Sequence, residues 1–302
     1  MRIGIIGATG FIGSNVLQRL TRSGHDVIAV SRSKKKAEKL FGDKTGTFEW
    51  DGDNWEGLVP LVEKVDCIVN LAGKDISSGR WTAERIKKIR ESRVKTGKLL
   101  SKAVTEAGSK PEIIVQASAI GIYGIHHYGN KTEVPGDDSF LATLTAEWEN
   151  SLDPVKKTDV KVAYARFGVV LGTSSGMLAK VTTPMKFFIG GHLGNGKQWL
   201  SWIHIDDVAG AVEHIIENKL EGNFNVTSPE PLMQKDFFNT LGRVMNRPSW
   251  LHLPPFVLIM IFGKMARQTI LASQRAHPDK LLESGFSFSY PDLQPALEDL
   301  LD

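Results

Sequence analysis

Cysteine is nearly absent from these 302 residues: Cys67 stands alone, in an apolar segment. No disulfide can form within the chain, so nothing argues for an oxidising compartment. Charge of one sign is not in excess either. Lys and Arg number 37 against 34 Asp and Glu, a net +3 spread along the chain, which makes no case for a nucleic-acid partner. Low-complexity tracts, long linkers and internal repeats are missing. No apolar run is long enough to cross a bilayer, which takes about 20 residues. The most apolar stretch, 255–263, falls far short; it reads as a buried helix, and its position also suits an apolar wall of a substrate pocket. No signal-peptide pattern precedes the first apolar segment. These absences leave a cytoplasmic chain of enzyme size as the expectation, partnered by a small molecule and by neither nucleic acid nor membrane.

What is present is concentrated at the start. Residues 2–6 form a buried-strand pattern that runs directly into Gly7, Gly10 and Gly13. The first glycine permits a tight turn out of the strand, the second keeps side chains away from a pyrophosphate, and the third lets a helix press on the sheet. That helix is expected over 14–23, with Val16, Leu17 and Leu20 at helical spacing before Gly24 ends it. Its N-terminal N–H groups would face the phosphates. A dinucleotide site is the expectation, with an ordinary strand-to-helix turn as the competing reading.

The second strand, 26–30, bears on which dinucleotide. An acidic residue that would bind the ribose 2′-hydroxyl of NAD is replaced by Ser31-Arg32-Ser33-Lys34. Arg32 offers a fork of N–H donors to a 2′-phosphate that a carboxylate would repel. The expected cofactor is therefore NADP(H). Lys34, Lys35 and Lys36 also read as a solvated helix start.

Further strands are expected at 47–50, 67–71, 113–117, 162–166 and 223–226, and helices at 81–107 and 141–152. A third helix, capped by Asp206 and Asp207, is expected to run to Glu217. The alternation implies an α/β fold: a Rossmann doubly wound parallel sheet with a smaller C-terminal substrate or lid domain. Residues 1–173, completed by 204–228, make the nucleotide-binding part. Residues 174–203 and 229–302, irregular and rich in Gly, Pro, Trp and Phe, make the smaller one.

Several motifs carry a family resemblance. They are the glycine triplet, Asn70 through Gly73, Ser118, Tyr123-Gly124, Arg166 with Gly172, and Trp202 through Val208. Together they resemble an extended short-chain dehydrogenase/reductase. The chain is most similar to the epimerase family proteins related to human short-chain dehydrogenase family 39U, which carry a small C-terminal domain of unknown function. Arg80-Trp81-Thr82, Ser92-Arg93-Val94, 146–149, 196–202, 272–275 and 282–286 match that subgroup, so the resemblance spans essentially the whole chain. It implies a cofactor site built from Gly7, Thr9, Gly10, Phe11, Ile12, Gly13, Ser31, Arg32, Leu71, Ala72, Gly73 and Arg166. It also makes Ser118 and Tyr123 the candidate catalytic hydroxyls, and it allows a homodimer.

The resemblance also exposes what is missing. The family's tyrosine acid/base and the lysine four residues later fall on Leu141 and Thr145, which can neither move a proton nor stabilise a phenolate. Ser118 keeps the place of the substrate-orienting serine, or satisfies local backbone. Tyr123 is the nearest replacement acid, or packs the pocket wall. His126, His127 and Tyr128 read as a surface loop, and their spacing gives no metal site. Arg93 stands where many relatives have an active-site asparagine, and reads either as an anion anchor or as a helix-surface residue. Leu200 replaces the arginine that binds a sugar-nucleotide diphosphate, which disfavours a nucleotide sugar. Trp199, Trp202 and 256–262 suggest a less charged pocket or plain core, and His204 a structural hydrogen bond. The expectation is an NADP-dependent oxidoreductase or epimerase acting on a small non-nucleotide substrate. The alternative is a catalytically reduced NADP(H)-binding sensor or scaffold.

Overall fold

Successive residues of a strand face opposite sides of a sheet, yet Cys67, Ile68, Val69 and Asn70 are all buried. Such a strand needs cover on both faces, the signature of a parallel sheet clothed in helices. The computed structural model describes residues 1–42, 45–128 and 136–302. Its main sheet contains β1 (Arg2–Ile6), β2 (Asp26–Ser31), β3 (Gly46–Glu49), β4 (Cys67–Asn70), β5 (Ile113–Ala119), β6 (Lys161–Phe167) and β7 (Gly222–Val226). The order is β7-β6-β5-β4-β1-β2-β3, with every neighbouring pair parallel. The strand order reverses between β1 and β4, which opens a crevice at their carboxyl ends.

The principal helices are α1 (Phe11–Arg22), α2 (Lys34–Phe41), α3 (Ala83–Glu106), α4 (Phe140–Asn150) and α5 (Ile205–Glu217). On one face Leu17 and Leu20 of α1 join Val208, Val212 and Ile215 of α5 in a core against β1 and β5. On the other, Leu100 and Val104 of α3 pack with Leu61, Ile68, Ile114 and Tyr164. Thr82 and Ser139 cap α3 and α4, each hydroxyl accepting a backbone N–H from the first turn, which fixes both starts. Helix α1 begins three residues before the expected start, at the second glycine's neighbour. It ends with Gly24 at φ +85°, where the N–H groups of Gly24 and His25 return to the carbonyls of Thr21 and Leu20.

The cap of α5 differs from the expectation. His204 Nδ1, rather than an aspartate, accepts the N–H of Asp206 at 3.1 Å. Asp207 is buried and turned the other way, accepting the backbone N–H groups of Ser289 and Tyr290.

A third core unites Leu171, Leu178, Met185, Trp202, Phe237, Phe238, Leu241, Leu293 and Leu297. Trp202 is wholly buried there, with its indole N–H donated to the Glu230 carbonyl, so it is core and lines no open pocket. The apolar stretch does form a helix, Pro255–Phe262, but it is not the buried one expected. Leu258 is covered, whereas Phe256 and Met260 are 69% and 67% exposed. No helix among the described residues is long and apolar enough to cross a membrane.

Candidate functional site

The first glycine sits at φ +86°, and a Cβ there would lie 2.9 Å from the backbone of Leu71, so the β1–α1 turn abuts the segment that leaves β4. At Gly13 a Cβ would meet the Gly7 carbonyl oxygen at 2.2 Å. Any side chain there would force the helix off the strand. Gly10 is the N-cap of α1 and has no side chain to offer, which leaves the first N–H groups of the helix free for an anion. Above this turn a cavity of about 270 Å³ is lined by Thr9, Gly10, Phe11, Ser14, Ser174 and Ser175. The Phe11 ring lies against Gly172, where a Cβ would be 2.5 Å away, so the 172–175 segment arches over the helix start. Ile12 packs into the core beneath.

The loop after β4 is held from inside. Buried Asn70 donates to Gln116 Oε1 at 2.9 Å and accepts the N–H of Ala72 at 3.2 Å, which places Leu71, Ala72 and Gly73 beside the glycine turn. Arg93 packs against this loop. Its guanidinium lies against Gly73 and over the Trp148 ring at 5.1 Å, donating to the Lys74 and Ile89 carbonyls. Burial lowers its pKa to about 10, with Asp75 opposing, and it stays charged at neutral pH.

At the end of β2, Ser31 Oγ accepts the N–H of Ser33. Arg32 is exposed and makes no hydrogen bond or ion pair with the described residues. A fork of donors is therefore available at the edge of the cleft where an acidic residue would select NAD. The glycine turn, the open α1 terminus and Arg32 suit a dinucleotide: Gly7 to Gly13 for its pyrophosphate and Arg32 for a ribose phosphate.

Ser118, Tyr123 and Arg166 meet in one buried network. Arg166 forms a forked ion pair with Glu149, Nε to Oε1 at 2.8 Å and Nη2 to Oε2 at 2.9 Å. Ser118 Oγ donates to the same Glu149 Oε1 at 2.5 Å. The Tyr123 hydroxyl donates to Asn225 Oδ1 at 2.7 Å and accepts from Arg166 Nη1 at 3.1 Å. Ser118, Tyr123 and Arg166 are only 2–3% exposed, so this structure encloses both candidate hydroxyls and the arginine expected at the cofactor. Burial raises the Tyr123 pKa against the pull of Arg166, which keeps the phenol protonated. For Arg166 burial works against the charge, and the bonds to Glu149 more than reverse it, so its pKa is raised.

Leu141 and Thr145 occupy the face of α4 toward the 120–123 turn: a Cβ on Gly121 would lie 3.5 Å from Leu141 Cβ and 3.8 Å from Thr145 Oγ1. Thr145 donates back to the Leu141 carbonyl. No proton carrier stands at either place. The residues expected in a surface loop, His126 to Tyr128, form a short strand paired with Ser273–Arg275. His127 stacks on Tyr123 at 4.5 Å, and Tyr128 is exposed. Gln274 donates to the carbonyls of Ile120 and Gly124, so the C-terminal region clamps the loop that carries Tyr123. Trp199 lies under Arg275, and Leu200 pairs with Leu232.

Glu149 and Asn225 had no role in the sequence reading. Glu149 sits inside the 146–149 motif, but its partners lie 17 and 31 residues away on two adjacent strands and meet it only when α4 packs on the sheet.

Seven parallel strands in this order, with a glycine turn at the switch point, define an NAD(P)-binding fold of the extended short-chain dehydrogenase/reductase class. More narrowly, the chain belongs to the NAD dependent epimerase/dehydratase family, whose signature matches residues 3–148, and it carries the C-terminal "Domain of unknown function (DUF1731)" at 253–300. It is 38% identical to the epimerase family protein YfhF of Bacillus subtilis, over 100% of this chain and 98% of that one. It is 37% identical to the chloroplastic epimerase family protein SDR39U1 homolog of Arabidopsis thaliana, over 100% and 87%. The crystal structure of human epimerase family protein SDR39U1 (isoform 2) with NADPH superimposes with a TM-score of 0.87 at 30% identity, covering 99% of both chains.

Proposed function

We propose that this chain binds NADP(H) and is an oxidoreductase or epimerase acting on a small non-nucleotide substrate. The observation that carries the cofactor reading is Arg32, exposed and unpaired among the described residues beside the glycine turn. The human relative solved with NADPH supports the same choice. When bound, the nicotinamide ring supplies or accepts a hydride. The chain's own contribution is to bind and orient. Gly7 to Gly13 and the α1 terminus hold the pyrophosphate, Arg32 the 2′-phosphate, and Leu71 to Gly73 the cofactor's flank. For Ser118 to orient a substrate, its Oγ has to turn from Glu149 toward the cleft. With Leu141 and Thr145 in place of an acid/base pair, the proton comes from Tyr123, released from Asn225, or from solvent.

NADPH deuterated on either face of the ring, incubated with the protein and a metabolite extract, tests this by mass spectrometry. Deuterium is expected in a metabolite, and the transfer is expected to fall in the Ser118→Ala, Tyr123→Phe double variant. Transfer that matches wild type in the double variant overturns the two residue roles.

Leu141 and Thr145 also favour a second reading, a catalytically reduced NADP(H)-binding sensor or scaffold. It predicts label that stays on the cofactor and a set of bound partner proteins that changes between NADP and NADPH. A partner set insensitive to cofactor state counts against it.

A further inference from the structure

The turn that ends α1 brings a histidine to the flank of α5, remote from the glycine turn at the other end of α1. His25 follows Gly24 directly, and its backbone N–H is held by the Leu20 carbonyl. On α5, Glu213 and Glu217 lie one turn apart on the side facing it. One ring nitrogen of His25, one oxygen of Glu213 and one of Glu217 all lie within 4.8 Å of one another. The His25 Nε2 to Glu217 Oε1 separation is 3.6 Å. Arg19 Nε donates to Glu213 Oε2 at 2.7 Å, which orients the carboxylate and leaves Oε1 for another partner.

Two of these atoms are orphaned. His25 Nε2 and Glu213 Oε1 are buried and have no hydrogen-bond partner among the described residues. The Glu213 side chain is 8% exposed and that of His25 10%, whereas Glu217 is 53% exposed. Buried polar atoms are ordinarily partnered, so an imidazole nitrogen and a carboxylate oxygen left without partners beside a second carboxylate call for a shared cation. The Arg19 contact to the far oxygen of Glu213 is the outer hydrogen bond that commonly positions a ligating carboxylate.

We propose that His25, Glu213 and Glu217 form a binding site for a divalent transition-metal ion of the Zn²⁺ type. The donor set of one imidazole nitrogen and two carboxylate oxygens belongs to such ions, whereas Mg²⁺ and Ca²⁺ take oxygen alone. Zn–N and Zn–O bonds near 2.1 Å in a tetrahedron place ligand atoms about 3.4 Å apart, close to the His25–Glu217 separation. Glu213 needs only a side-chain adjustment to complete the set, and half-exposed Glu217 gives the ion its route from solvent. The ion would tie the α1–β2 turn to α5, fastening two helices that cover the same face of the sheet. The site is independent of the cofactor reading.

The test uses the full chain after chelator treatment and dialysis. Titration calorimetry with ZnCl₂ is expected to give one equivalent per chain, and the melting temperature is expected to rise and saturate with added Zn²⁺. Co²⁺ in place of Zn²⁺ is expected to show visible absorption from a nitrogen- and oxygen-ligated site. His25→Ala and Glu217→Gln should each weaken binding by at least about tenfold and remove the thermal shift. Glu217 is half-exposed, so its substitution leaves the metal-free melting temperature near wild type and loss of binding there is not loss of folding. Absence of saturable binding would overturn the site. Binding unchanged in both variants would overturn it too, by placing the ion elsewhere, for example at the stacked pair His192 and His252.

Discussion

Glu149 is the residue on which the centre of the molecule depends. It neutralises buried Arg166 through both carboxylate oxygens and accepts the Ser118 hydroxyl as well. Glu149→Gln would leave a guanidinium buried without its counter-charge, a change that costs about 3–5 kcal/mol. Ser118→Ala removes one hydrogen bond to a charged group and costs about 1.5–3 kcal/mol. Urea unfolding is expected to show this ranking, and a Glu149→Gln midpoint equal to wild type would contradict it. These dependences were not legible in the sequence. Ser118, Tyr123 and Arg166 stand out as a strand-end serine, a loop tyrosine and a strand arginine, but the carboxylate shared by Ser118 and Arg166 lies on α4, and the acceptor for Tyr123 lies on β7. Gly7 and Gly13 were legible, because a turn of positive φ and a helix pressed on backbone admit few other residues.

At the scale of elements, the strands and helices follow from apolar periodicity with ends displaced by a few residues. The cap of α5 is the instructive departure. Trp202 to Asp207 presents a histidine and two aspartates in succession, and aspartates are the common caps. Tertiary contact reverses the roles, since Ser289 and Tyr290 claim Asp207 and leave His204 to close the helix. Burial lowers the His204 pKa, outweighing the nearby Asp206 and Asp299. The unfolded chain, with a histidine pKa near 6.5, then binds more protons than the folded one below that value. Stability is therefore expected to fall as the pH drops through about 6.5 toward the lower folded pKa, and to be insensitive to this group outside that window. His204→Asn keeps an acceptor at the cap and should flatten the slope relative to wild type, measured by thermal unfolding between about pH 5 and 8. An unchanged slope would show that another group titrates there. The Pro255–Phe262 helix teaches a different lesson: an apolar run identifies an element without telling which of its faces is covered, and here Phe256 and Met260 face outward.

For the whole molecule, the doubly wound parallel sheet with its glycine turn after the first strand was legible because alternating strands and helices have few topologies, although the spatial order of the strands was not read. The C-terminal region was not legible. Its third core draws on segments separated by more than a hundred residues, and its contact with the Tyr123 loop passes through Gln274 and a three-residue strand that no periodicity announces. The glycine turn faces a cleft roofed by the 172–175 arch, and Arg32 stands exposed just past the end of neighbouring β2. The claim that this cleft is made for NADP(H) is tested most directly by calorimetric titration of wild type and Arg32→Glu with NADPH and NADH. Wild type should prefer NADPH, and Arg32→Glu should lose about 2–3 kcal/mol of NADPH binding by removal of a charge-assisted contact, with NADH spared. Equal losses for the two cofactors, or a wild type that does not discriminate between them, would contradict it.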